Sequence, residues 1–166
     1  MGELRRILEL LVQHNVEFVL VGGYAAMVHG VSLVTRDIDI CTHFSRPNLE
    51  RIHAAVADLH PYHFLTPQEI PFAIPPGFEK GLRNLYIGTD MGRLDCLGEI
   101  LGIGDYAAAQ TVSIPLPLPF GSVWMLDRKA MIRAKSALDR PQDKVTVMQL
   151  MAMEEREGTE PKMRLP

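Results

Sequence analysis

Asp37 and Asp39 stand two residues apart in Thr35-Arg36-Asp37-Ile38-Asp39-Ile40. Side chains of a strand alternate between faces, so this spacing turns both carboxylates to one side and Ile38 and Ile40 to the other. Two carboxylates side by side repel each other unless a cation lies between them. Their hard oxygens suit Mg²⁺, which binds one or two carboxylates and fills its remaining positions with water and substrate phosphates. Upstream, the apolar run Phe18-Val19-Leu20-Val21 ends at Gly22-Gly23. Adjacent glycines permit a tight turn and let backbone N–H groups come close to a ligand. A short helix from Tyr24 to Val28 would aim its first N–H groups at the same place, where anions are favoured. A phosphate cradle thus lies close in sequence to a pair of magnesium ligands.

A third carboxylate is a candidate for the same chemistry. Leu82–Gly88 and Gly92–Leu97 flank Thr89-Asp90-Met91 and read as a β-hairpin. Its second strand carries Asp95 between apolar neighbours, a costly position unless the carboxylate has a partner. That partner is either a metal held by Asp37 and Asp39 or an arginine such as Arg93 or Arg83. Glu99 shares the Asp95 face by parity but lies further along the chain.

The Gly-Gly pair followed by Asp-x-Asp resembles the core of the nucleotidyltransferase superfamily, and in particular small AbiEii-type toxin nucleotidyltransferases. Gly22, Gly23, Ala25, His29, Gly30, Thr35, Asp37, Ile38 and Asp39 match that pattern. Leu33 stands where the pattern has an arginine, and Arg36 is the available substitute. The resemblance implies an α/β, polymerase-beta-like fold: a mixed short sheet, helices packed on one face and a C-terminal helical pair closing the site. It implies Mg²⁺ on Asp37, Asp39 and Asp95, and an NTP contacted by Gly22, Gly23 and Arg36. Lys135 and Arg140 match the Lys-x(4)-Arg stretch of such proteins and would meet the triphosphate. The acceptor hydroxyl would belong to tRNA or a protein, in a toxin–antitoxin or phage-defence setting with a cognate antitoxin as a further partner. Two other readings fit the residues. One is a non-catalytic nucleotide- or partner-binding protein, which Leu33 favours. The other is transfer to an aminoglycoside-like small molecule.

The rest of the chain must position these groups. Its 166 residues suit one domain, expected over 1–153 with a flexible tail over 154–166. Hydrophobic content of 47% and charge of 22% are those of an ordinary globular protein, and a net charge of −3 gives no global signal for nucleic acid. No apolar run or leader pattern suggests a membrane or export, so a cytoplasmic protein is expected. Leu4, Ile7, Leu8, Leu10 and Leu11 are close to helical spacing over Glu3–His14, with Asn15 as a stop. Strands are expected near Glu17–Val21 and Arg36–Thr42. A helix capped by Ser45 should run to about Leu59, followed by an irregular, proline-rich segment over 60–80. Thr111–Pro119, with prolines at 115, 117 and 119, reads as an edge strand, and Ser122–Met125 as another. Asp127 is a good N-cap for a helix to Leu138, and a last helix should span Pro141–Arg156. His29, Cys41 and the His60–His63 pair read as structural groups rather than ligands.

Overall fold

The computed structural model describes residues 2–159, with side chains through Arg156. Helix α1 (Gly2–Gln13) puts Leu4, Ile7, Leu8 and Leu11 on one buried face, and Asn15 ends it with a left-handed backbone. Strand β1 (Phe18–Val21) runs directly into α2 (Gly22–Val28), so the helix begins at the first glycine and not at Tyr24. Then come β2 (Asp37–Thr42), α3 (Arg46–Val56) with one further 3₁₀ turn, and the short β3 (Tyr62–His63). The hairpin is β4 (Asn84–Thr89) and β5 (Gly92–Leu97). A two-stranded ribbon, β6 (Glu99–Ile100) and β7 (Gly104–Asp105), leads to α4 (Tyr106–Thr111). Strands β8 (Ser113–Leu118) and β9 (Gly121–Leu126) precede α5 (Arg128–Leu138) and α6 (Pro141–Thr159). Helix α6 therefore continues past residue 153, where the sequence predicts a tail. The rest of that predicted tail, 160–166, lies outside the described residues.

Seven strands form one sheet in the order β3-β4-β5-β2-β1-β9-β8. The β2–β5 and β1–β9 pairs are parallel and the others antiparallel, so the sheet is mixed. The proline-bearing β8 is the edge, where a missing N–H costs no ladder bond. One face carries Leu20, Ile38, Ile40, Ile87 and Leu94, all fully buried. Helices α1 and α3 cover this back face. A methyl group on Gly92, which points the same way, would come 2.9 Å from Leu4. The other face carries Asp37, Asp39 and Asp95, and α5 and α6 stand over it.

Two expected caps differ in outcome. Asp127 caps α5 by accepting from the Ala130 N–H at 2.7 Å. Ser45 occupies the N-cap of α3 with extended backbone, but its hydroxyl makes no capping bond. Asn48 instead ties α3 to the sheet. Its Oδ1 accepts from the Glu17 N–H (2.9 Å), and its Nδ2 donates to Thr42 Oγ1 (2.8 Å) and the Glu17 carbonyl (3.1 Å). The side chain is buried, so its loss orphans several polar groups at once. Asn48→Ala should cost about 2–3 kcal/mol in urea unfolding. A loss under about 0.5 kcal/mol, the range of an inert surface change, would refute this anchoring role.

Candidate active site

The β2–β5 register builds the site. Asp39 pairs with Asp95 and Asp37 with Arg93 across parallel neighbours. Directly paired residues share a face, so all three carboxylates and one guanidinium project together. Tyr86 lies opposite Asp95 on the other side of β5 and joins the same face. Asp37 has its two oxygens occupied: Oδ1 accepts from the Thr35 hydroxyl at 2.5 Å, and Oδ2 from Arg93 Nη2 at 2.5 Å.

The glycine pair serves Asp39 first. Gly22 has φ +65°, and a Cβ there would lie 1.9 Å from Asp39 Oδ2, so backbone conformation and space both demand glycine. The Gly23 N–H donates to the same oxygen at 3.3 Å. The close approach read from the sequence is thus made by the protein's own carboxylate.

Burial raises the pKa of Asp39 above the ordinary carboxylate range, and neighbouring Asp37 adds to the rise. Asp95 is only 6% exposed. Burial pushes it up to about 6, with Asp39 and Asp37 adding to the shift while Arg93 opposes it. Asp95 Oδ1 is a buried oxygen with no aligned hydrogen-bond donor, although Arg93 Nε lies 2.7 Å away. A buried, under-satisfied carboxylate oxygen beside two further carboxylates fits a hard divalent cation such as Mg²⁺. Among the described residues, no three His, Cys, Asp or Glu side chains form a ready-made metal cage. Mg²⁺ does not require one, since it normally keeps waters and takes substrate phosphates.

Two cavities meet at the carboxylates, of about 340 and 570 Å³. Both are lined by Asp39, Asp95, Lys135 and Arg140. The smaller adds Tyr86, Leu97, Leu126 and Met131, and the larger adds Gly23, Thr35, Gln142 and Gln149. Gly22, Gly23, Lys135 and Arg140 are therefore brought to the site. Arg36 is not among the residues lining either cavity. It is exposed, directly precedes β2, and lines a separate hollow with Asp37, Tyr62 and Phe64. Leu33 does line the larger cavity.

Lys135 and Arg140 are positioned by Asp143, which the sequence suggests as a partner for Arg140 alone. Asp143 has a side chain only 2% exposed and accepts from Lys135 Nζ at 2.9 Å and from Arg140 Nε at 2.5 Å. Burial opposes its charge, but the two cationic hydrogen bonds outweigh this and hold its pKa below the usual range. Helices α5 and α6 are thus pinned at the cleft.

The remaining polar groups are structural. His29 Nε2 donates to the Leu126 carbonyl at 2.8 Å and closes α2. Cys41 shares the carboxylate face but is buried, which pushes its thiol up to about 12. His60 pairs with Asp90 at the surface, and His63 meets the Phe72 ring edge to face. The proline-rich segment is fastened by Arg46, which donates to the Ile74 and Pro75 carbonyls, each at 2.9 Å.

Comparison with known proteins bears on the fold. No family model matches the chain, and no curated protein does. Among solved structures, the solution structure of the antibiotic-resistance factor ANT(2'')-Ia superposes with a TM-score of 0.54 at 16% identity, over 95% of this chain and 92% of that one. This chain has a nucleotidyltransferase-like fold. Its mixed sheet, buried back face and C-terminal helical pair agree with the α/β architecture expected from sequence. No helix among the described residues is long and apolar enough to cross a membrane.

Two stability measurements check this electrostatic description. Asp143→Ala leaves Lys135 and Arg140 without their shared acceptor and should cost about 3 kcal/mol at pH 7. Because the folded pKa of Asp143 is depressed, its contribution is full above the unfolded value near 4 and fades as pH falls through the lower folded value. The wild-type advantage over the variant should therefore shrink only in acid. Asp95 has the opposite sign. Its raised folded pKa favours the protonated form, so its charge burdens the fold above about pH 6 and not below pH 4. Without metal, Asp95→Asn should gain about 1–2 kcal/mol at pH 7.5 and nothing at pH 4. A variant destabilised at pH 7.5 would contradict the assignment.

Proposed function

We propose that the protein is a magnesium-dependent nucleotidyltransferase, which moves a nucleoside monophosphate from an NTP to an acceptor hydroxyl. The observation that carries this reading is the convergence of Asp37, Asp39 and Asp95 on one sheet face, at the junction of two cavities closed by Lys135 and Arg140. The nucleotidyltransferase-like fold supports it.

In this reading Asp37, Asp39 and Asp95 hold the metal. When bound, Mg²⁺ polarises the phosphoryl oxygens and offsets the charge that develops on them. Lys135 and Arg140 neutralise the triphosphate, lysine as a point charge and arginine as a planar fork. Gly22 and Gly23 keep the start of α2 narrow enough for phosphate and Asp39 to lie together. The acceptor hydroxyl attacks the α-phosphorus, the bond to the β-phosphate oxygen breaks, and pyrophosphate leaves. Asp95 lies at the junction of the cavities and promotes loss of the hydroxyl proton. The smaller cavity, with its apolar wall, suits a nucleobase, and the larger polar one suits the triphosphate.

The acceptor class that the sequence resemblance favours is tRNA or a protein, in a toxin–antitoxin setting with a cognate antitoxin. A second reading has one observation behind it: the structural neighbour is an antibiotic-resistance factor, so the acceptor would be an aminoglycoside-like small molecule.

The test is incubation with Mg²⁺ and each α-labelled NTP in turn, alone and with bacterial RNA, lysate protein or an aminoglycoside. Label on one acceptor, absent in an Asp37→Asn/Asp39→Asn double variant, would establish the reaction and name the acceptor. Asp39→Asn alone should fold and lose activity by roughly 10³-fold or more, since a metal ligand supports several kcal/mol of charge stabilisation. Normal turnover by that folded variant would sink the assignment.

A further inference from the structure

Arg93 holds two of the three carboxylates at once. Its Nη2 donates to Asp37 Oδ2 at 2.5 Å, and its Nε lies 2.7 Å from Asp95 Oδ1. The second approach brings the charges together without hydrogen-bond alignment, and both of its atoms are buried. The sheet enforces this arrangement. Arg93 lies opposite Asp37 in the β2–β5 register and two residues before Asp95 on the same face. The guanidinium also rests over the Phe64 ring, 4.9 Å from its centroid. Phe64 is fixed in turn by its N–H, which donates to the Tyr86 carbonyl at 3.0 Å. Beside them opens a cavity of about 310 Å³, lined by Arg36, Asp37, Tyr62, Phe64, Gly88 and Thr89 among others.

A divalent cation and this guanidinium need the same oxygens. At such distances two cations repel strongly in a partly buried site. The guanidinium also occupies Asp37 Oδ2 directly. We propose that Arg93 is a built-in stand-in for the metal. It neutralises the carboxylates before metal arrives, and it moves off them toward Phe64 and the neighbouring cavity when metal enters with the nucleotide. Metal alone then binds weakly, and the nucleotide's phosphates supply what displaces the arginine. The inference rests on the nucleotidyl-transfer reading, in which these carboxylates are the metal ligands.

The test is Mn²⁺ binding without nucleotide, followed by the electron paramagnetic resonance signal of free ion, for wild type, Arg93→Gln and Asp39→Asn. Arg93→Gln should bind Mn²⁺ roughly tenfold more tightly than wild type, the scale expected from removing one adjacent cation. Its melting temperature should fall without metal and recover in millimolar Mg²⁺, while that of wild type responds little. Should Arg93→Gln not fold, Arg93→Met carries the same test, because it keeps the aliphatic stem and removes the charge. Affinity unchanged or weakened in the folded variant would overturn the stand-in role, while loss of binding in Asp39→Asn would still leave the metal reading intact. No Mn²⁺ binding by any form, even with a non-hydrolysable NTP analogue, would defeat both.

Discussion

The parallel pairing of β2 with β5 is the constraint on which the site depends. It sets Asp39 against Asp95 and Asp37 against Arg93, so like charges are forced together at the spacing of neighbouring strands. Backbone hydrogen bonds fix that spacing, and the carboxylates cannot relax apart without breaking the ladder. The charge must therefore be answered locally. Arg93 answers two carboxylates, the Thr35 hydroxyl and Gly23 N–H add single hydrogen bonds, and Asp95 Oδ1 is left without an aligned donor. Neither burial nor repulsion is fully compensated, which is why Asp39 and Asp95 both resist ionisation. A sheet selected for stability alone has no need of this arrangement.

The back face makes the strain tolerable. Leu20, Ile38, Ile40 and Leu94 are fully buried beneath α1 and α3, and Asn48 stitches α3 to the ends of β1 and β2. The same alternation that turns each aspartate forward turns an isoleucine or leucine backward. Hydrophobic burial on one face thus fixes the register that crowds charge on the other. On the open side, α5 and α6 are held by the Asp143 bridge, so Lys135 and Arg140 arrive as a pair with a defined separation. A buried ion network of this kind positions cationic groups more surely than it stabilises the fold.

What could be read from the sequence was what depends on short-range geometry. Asp-x-Asp between isoleucines fixes its own face, and a hairpin with Asp95 flanked by leucine and cysteine announces a buried carboxylate. Arg36 directly precedes β2 and lines the hollow beside Phe64, not the two cavities at the carboxylates. Tyr86 was within reach too: a loop of Asp90 and Met91 pairs Thr89 with Gly92 and hence Tyr86 with Asp95. The pairing of Asp143 with Arg140 was legible from their spacing, but its burial and its bond to Lys135 were not, because they depend on how two helices cross. The role of Gly22 was half legible: two glycines imply close approach, but only the fold reveals that Asp39 makes it.

Arg93 shows why a salt bridge and a metal site need not be competing explanations of Asp95. The sequence poses them as alternatives, since a buried carboxylate requires one cation. The structure supplies the arginine but leaves Asp95 Oδ1 poorly served by it. A guanidinium that satisfied every oxygen would lock the carboxylates and exclude any ion. One that satisfies Asp37 well and Asp95 badly stabilises the cluster while leaving it open to a better ligand. Its placement over Phe64 adds a cation–π contact to its carboxylate contacts. The proline-rich segment that delivers Phe64 therefore acquires a role that its lack of regular secondary structure does not suggest.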